Sequence, residues 1–169
     1  MLVSNFKFGL LTKVAEVWST CLFVGYVKFM PGTICSTLSL IILYFFDISY
    51  KKNLDVLLFG VVFIVSLYMV KIILEKINKK DPFFIVIDEL LGIYLGALFC
   101  FSEKKILDYF LFLIFFRIFD IFKPFPINIL DNLSKKGSYW FQSFFVIADD
   151  ILASVFAICA LKIVKAYLF

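Results

Sequence analysis

Two pairs of adjacent carboxylates stand inside otherwise apolar runs. Asp88 and Glu89 lie within Ile85-Val86-Ile87-Asp88-Glu89-Leu90-Leu91, and Asp149 and Asp150 within Val146-Ile147-Ala148-Asp149-Asp150-Ile151-Leu152. A charge in hydrocarbon costs about 3 kcal/mol on insertion scales, and adjacent like charges also repel, so each pair asks for a cation or a proton. Asp88, Gly92 and Gly96 follow one another at helical i, i+4, i+8 spacing, and so do Asp149, Ala153 and Ala157. Small residues on one face let membrane helices pack backbone to backbone. Packing the two stripes would bring four carboxylates together, a locus for Mg²⁺ or a similar oxygen-loving cation.

A third group follows in Phe116-Arg117-Ile118-Phe119-Asp120-Ile121-Phe122-Lys123-Pro124-Phe125-Pro126. Arg117, Asp120 and Lys123 fall at three-residue steps on one helical face. Arg117 offers a planar fork suited to phosphate, and Lys123 a second positive point. The two prolines end the helix there and turn the chain along the interface. An interhelical ion pair, or an Arg117–Asp120 pair with Lys123 snorkelling, would account for each group singly but not for their coincidence.

Carboxylates mixed with cations at a membrane boundary suit a phosphate ester whose tails stay in lipid. Metal-assisted hydrolysis needs a cation to clamp phosphoryl oxygens and groups to neutralise developing charge. Either water or a carboxylate could be the nucleophile. The chain has no histidine, which excludes histidine bases, phosphohistidine intermediates, Ser-His-Asp triads and the usual zinc sites. The four cysteines are far apart, form no C-x-x-C pair, and read as small apolar fillers. A small cation- or proton-coupled transporter using the buried acids is the alternative from another class, and Arg117 and Lys123 argue against it.

The elements that must position these groups are apolar helices. Hydrophobic residues make up 63% of the 169 residues, more than a soluble chain this short could bury. Five long apolar stretches run at about 32–48, 55–75, 83–101, 106–122 and 141–161, separated by short polar segments. The segment before Pro31 contains Thr12, Lys13 and Glu16, a poor span but a good surface-lying amphipathic helix. The expected fold is therefore an all-α, membrane-embedded bundle of about five apolar helices plus an N-terminal amphipathic helix, one domain over 1–169. Assigning the sixteen lysines to alternating sides places ten on the side that also receives Thr33, Asp88–Glu89, Lys123 and Asp149–Asp150, which makes that side cytoplasmic. The net charge of +4 comes from short lysine clusters at the ends of apolar runs, with no basic arm or stripe, so no nucleic-acid partner is expected.

At these residues the chain resembles the phosphatidylglycerophosphatase A family. Four blocks carry the resemblance in order over about residues 25–154: Gly25 with Pro31-Gly32-Thr33 and Ser36; Asp81-Pro82-Phe83-Phe84-Ile85-Val86-Ile87-Asp88-Glu89 with Gly92; the Phe116-to-Ile127 stretch with Asp131 shortly after; and Asp149-Asp150-Ile151-Leu152-Ala153. Lys28, Cys35 and Ser154 stand where the family commonly has proline, glycine and glycine. The resemblance implies a Mg²⁺-dependent phosphatase that hydrolyses phosphatidylglycerophosphate to phosphatidylglycerol in glycerophospholipid biosynthesis. It also implies a multi-pass protein of the bacterial inner membrane with its site at the cytoplasmic face. Carried over residue by residue, Asp88, Glu89, Asp120, Asp149 and Asp150 become candidate catalytic groups. Asp88, Glu89, Asp149 and Asp150 become candidate metal ligands, and Arg117, Lys123 and Thr33 candidate phosphate-binding residues.

Overall fold

A computed structural model describes residues 2–45, 52–78, 82–100 and 105–168, with side chains described for 9–45, 53–78, 82–100 and 105–167. Asp81, which opens the second sequence block, lies outside the described residues. Those residues form seven α-helices and one 3₁₀ turn, with no strand among them: α1 Leu2–Ser19, the turn Val24–Tyr26, α2 Pro31–Phe45, α3 Lys52–Ile77, α4 Ile87–Cys100, α5 Ile106–Phe122, α6 Ile127–Ser134 and α7 Tyr139–Leu168.

The helix boundaries follow local chemistry. Pro31 opens α2, where its missing N–H costs nothing and its fixed φ favours the helix. Cys21, Leu22 and Phe23 are all left-handed (φ 47°, 56° and 69°), which breaks the chain sharply after α1. Asn78 is left-handed as well (φ 50°), and its N–H caps the Leu74 carbonyl at the end of α3. Lys123 ends α5 in the same way, at φ 42°, with its N–H on the Phe119 carbonyl at 2.9 Å.

Two described helices are long and apolar enough to cross a membrane, residues Asn53–Ile77 of α3 and Tyr139–Tyr167 of α7, fewer than the five expected. The reason is length. At 1.5 Å per residue, α2, α4 and α5 reach only roughly 21 to 26 Å, against a hydrocarbon core of about 30 Å. Hydropathy reads 83–101 as one run. Residues 82–86 are instead held out of the helix, by a turn in which the Ile85 N–H meets the Pro82 carbonyl and by a Val86 N–H bond to the Ser19 carbonyl. Residues 123–138, read as a polar connection, contain the extra helix α6. Only 22% of the apolar window of α3 is buried within the protein, so most of its Leu, Val and Ile side chains face outward, as lipid-facing residues do.

Helix α7 is the central post, packed against α3, α4, α5 and α6, while α2 packs on α4 and α5. The stripe on α7 is tightly closed, with Ala153 and Ala157 wholly buried. The glycines of α4 are filled from α5 as well as α7. A Cβ at Gly92 would stand 2.6 Å from the Phe116 ring and 3.2 Å from the Asp150 carbonyl oxygen, and one at Gly96 would stand 2.0 Å from the Phe112 ring. Phe112 and Phe116 are fully buried there, in a core shared with Ile93, Ala97 and Ile158. Ser154 donates its hydroxyl to the Gly92 carbonyl at 2.7 Å, locking α7 to α4 one turn from both acidic pairs. All four cysteines are free thiols.

Candidate active site

The acidic pairs meet because one sits in the first turn of α4 and the other about a third of the way along α7. In each pair the first carboxylate accepts the next residue's backbone N–H: Asp88 Oδ1 from Glu89 and Asp149 Oδ1 from Asp150, both at 3.1 Å. One carboxylate oxygen from each of Asp88, Glu89 and Asp150 lies within 4.8 Å of the others. Asp149, the fourth expected ligand, turns its Oδ2 to Lys123 Nζ at 2.7 Å. Asp120 pairs with Arg117, its Oδ2 2.7 Å from Nη1, and the same nitrogen lies 4.0 Å from Glu89 Oε1. The i, i+3 pairing expected within α5 therefore exists, and it also balances charge in the acidic cluster.

The first turn of α2 closes this wall. A Cβ on Gly32 would fall 2.0 Å from Glu89 Oε1 and 3.4 Å from Arg117 Nη1, so a glycine alone lets the helix come this near. The next residue, Thr33, has a buried hydroxyl with no hydrogen-bond partner among the described residues. Glu89 Oε2 and Arg117 Nε are likewise buried without one, and Arg117 Nη1, though close to Asp120, is misaligned for N–H donation. Buried polar atoms are normally paired, and orphans of this kind cluster where a ligand is received.

Lys123 is the cation that reaches the acids from the other side. Besides Asp149 it meets Asp131 Oδ1 at 2.6 Å, and Lys135 meets Asp131 Oδ2. Burial works against the charge on Lys123, but Asp149 and Asp131 outweigh it and hold the ammonium above the usual lysine range. Burial also pushes Asp131 upward, yet the hydrogen bonds from Lys123 and Lys135 keep its carboxyl below its ordinary value. Sequence reasoning noted Asp131 only as a family position and did not place it in the site. The available signal was the i, i+4 spacing of Asp131 and Lys135 on a helix that must fold back after two prolines.

Asp88, Glu89, Asp120, Lys123, Asp149 and Asp150 line a polar cavity of about 150 Å³, with Pro82 and Phe83 at another wall. Arg117 and Thr33 are not among its lining residues; Arg117 stands behind Glu89 and Asp120. The donor set is entirely carboxylate oxygen, and Glu89 Oε2 has no hydrogen-bond partner among the described residues. That chemistry fits a hard divalent cation such as Mg²⁺ and does not fit a thiolate or imidazole metal. Three carboxylates beside an ammonium, in a cavity the size of a small polar headgroup, can hold a phosphate together with a cation.

Comparison with known proteins points the same way. A family model described as Phosphatidylglycerophosphatase A matches residues 17–165. A curated protein of Haemophilus influenzae named Phosphatidylglycerophosphatase A is 33% identical over 98 residues, which is 57% of this chain. The chain spans 55% of the length of that relative. No solved structure matches.

Proposed function

Since the chain belongs to the phosphatidylglycerophosphatase A family, we propose that it hydrolyses the terminal phosphate monoester of phosphatidylglycerophosphate, giving phosphatidylglycerol and inorganic phosphate. The observation that carries this reading is the convergence of Asp88, Glu89 and Asp150 beside Lys123 in one small polar cavity, in a protein with two helices able to cross a membrane. Nothing in the family match supports the transporter alternative.

Asp88, Glu89 and Asp150 would hold the divalent cation, taken here as Mg²⁺. When bound it would draw charge from the phosphoryl oxygens. Lys123 supplies the second positive contact to the phosphate. Asp131 and Asp149 keep its ammonium charged and fix its direction. Arg117 lies behind the cavity wall, so its role in this reading is to offset the charge of Glu89 and Asp120 and hold them in place. Thr33 and the Pro31–Gly32 turn set how closely α2 approaches Glu89. Of the two lining carboxylates left outside the three-ligand group, Asp149 is engaged by Lys123, so Asp120 would be the one to orient water against phosphorus and take its proton. The bond broken is the terminal P–O bond, and phosphatidylglycerol leaves as the alcohol. The acyl tails would stay in lipid, and the excess of lysines at this end of the bundle supports a site at the cytoplasmic face of the bacterial inner membrane.

The test is phosphate release from phosphatidylglycerophosphate in detergent micelles, with Mg²⁺ and with chelator, for the natural chain and for Asp88→Asn and Asp150→Asn. Release that needs the metal and is lost in both variants is the expected result. A folded protein that releases no phosphate under any metal condition would overturn the reading.

A further inference from the structure

The packing of the bundle leaves a second cavity, unlike the first in every respect. Helix α4 has α2 on one flank and α3 on another, but α2 packs mainly on α4 and α5, and α3 on α1, α4 and α7. The gap between α2 and α3 is therefore open. It forms an apolar cavity of about 810 Å³, within the roughly 300–1,000 Å³ range of sites for organic ligands. Its walls are Leu38, Ser39 and Ile42 of α2, Val62 of α3 and Leu90 of α4, and its roof is Val14, Val17 and Trp18 of α1.

The roof is fastened to α3. On α1, Glu16 meets Lys76 of α3 at 3.4 Å while Trp18, two residues on, donates its indole N–H to Ser66 at 3.0 Å. Those α3 residues are ten apart, about 15 Å along the helix axis, so α1 is tied to α3 over nearly three turns. Lys71 of α3 lies 5.6 Å over the Trp140 ring, and Tyr68 packs on the same ring, an aromatic and cationic belt of the kind found at a membrane–water boundary. Val62 is nine residues below Lys71, so the cavity reaches about 13 Å beneath that belt. Among the described residues that line it, the single charged one is Lys13, exposed on α1 and with no carboxylate partner among them. A dry slot reaching about 13 Å below that belt, with an exposed ammonium in its lining, is complementary to one kind of molecule, an acyl chain carrying an anionic head.

We propose that this cavity holds an anionic glycerophospholipid as a bound lipid, with an acyl chain between α2 and α3 beneath α1 and its phosphate at Lys13. The site is separate from the polar cavity. The two cavities share no lining residue, and between them Cys21 and Cys35 both point their thiols at the Val86 carbonyl, at 3.6 and 3.1 Å, while Gly25 packs onto the Phe84 backbone. The proposal does not depend on the phosphatase reading.

Trp18 lies in the cavity wall and gives the readout. In a Trp140→Phe background, phosphatidylglycerol with brominated acyl chains is titrated into the protein in neutral detergent and compared with phosphatidylcholine carrying the same chains. Saturable quenching of Trp18 is expected, at a lower concentration for phosphatidylglycerol. Lys13→Gln should reduce that preference about fivefold, the effect of one cation near a lipid surface. The slot is filled with Ile42→Phe and, independently from the other wall, Val62→Phe. Each should abolish saturable quenching while helix content stays unchanged by circular dichroism. Saturable quenching that survives either folded variant, or an anionic preference unmoved by Lys13→Gln, would overturn the proposal. So would a dimer in detergent that dissociates when Ile42 is changed, since the slot would then be closed by a second copy.

Discussion

Lys123 sits in a left-handed conformation that an L side chain adopts at a cost of about 1–2 kcal/mol. That conformation ends α5, aims the chain at Pro124, and delivers the ammonium between Asp131 and Asp149. A conformational cost tolerated at a residue with two carboxylate partners is the pattern expected of a functional position. Lys123→Met should lower kcat/KM for phosphate release about 10²- to 10³-fold, the usual loss when one charged contact to a transition state is removed. Circular dichroism should show the helices intact, and Lys123→Arg should recover part of the activity. Gly32 gives a second prediction at this scale. Gly32→Ala puts a methyl group where Glu89 Oε1 now stands, so the carboxylate must move away from Asp88 and Asp150. The Mg²⁺ concentration for half-maximal activity should rise about 10- to 100-fold, as it does when the support of a metal ligand is disturbed. A Mg²⁺ titration of the variant checks this, and an unchanged midpoint would mean that Glu89 is not a ligand.

Among elements, α4 meets α5 closely at its glycines. Gly96 faces the Phe112 ring, and Phe112 is wholly buried, so there is little room to yield. Gly96→Val should overpack this contact by about 1–3 kcal/mol and lower the thermal midpoint by a few degrees, measured by scanning fluorimetry. Helix α6 makes a pH prediction. Asp131 is held below its ordinary value, so its stabilising contribution is complete above about pH 4, the unfolded value, and is lost as pH falls through its lower folded value. Amide exchange in 127–134 should therefore accelerate on acidification below about pH 4, and Asp131→Asn should show the fast exchange already at neutral pH. The acidic pairs, the Arg117–Asp120 pairing and the small-residue stripe of α7 were all legible in the sequence, because each follows from spacing on a single helix. The salt link of Lys123 to Asp149 was not, since it needs a left-handed residue and a fold-back through α6 that no periodicity announces. The number of crossing helices was misread because hydropathy cannot see that backbone bonds to Pro82 and Ser19 hold residues 85–86 out of α4. Ser154 is informative in the other direction: it departs from the family's glycine, yet its hydroxyl fastens α7 to α4.

At the scale of the molecule, charge is separated along the bundle. The helices alternate in direction, so the first turns of α2 and α4 and the last turn of α5 share the end that holds the polar cavity, and Lys165 with Asp108 marks the opposite end. Asp108 is buried and paired to Lys165 at 2.5 Å, far from the acids. The cavity end is the richer in lysine, including Lys71, Lys76, Lys123, Lys135 and Lys136 among the described residues, so it should stay in the cytoplasm. This orientation can be read with single cysteines. Lys136, exposed between α6 and α7, is changed to Cys in a chain whose four natural cysteines are replaced by Ala. A membrane-impermeant maleimide should label that residue in inverted inner-membrane vesicles and leave it unlabelled in intact spheroplasts. Lys162→Cys, near the other end of α7, should show the reverse. Labelling of both from one side would mean that α7 does not cross, and that the bundle rests in the membrane by the apolar face of α3 alone. Labelling of Lys136→Cys only from outside would place the polar cavity on the periplasmic face and overturn the orientation argued from the lysines.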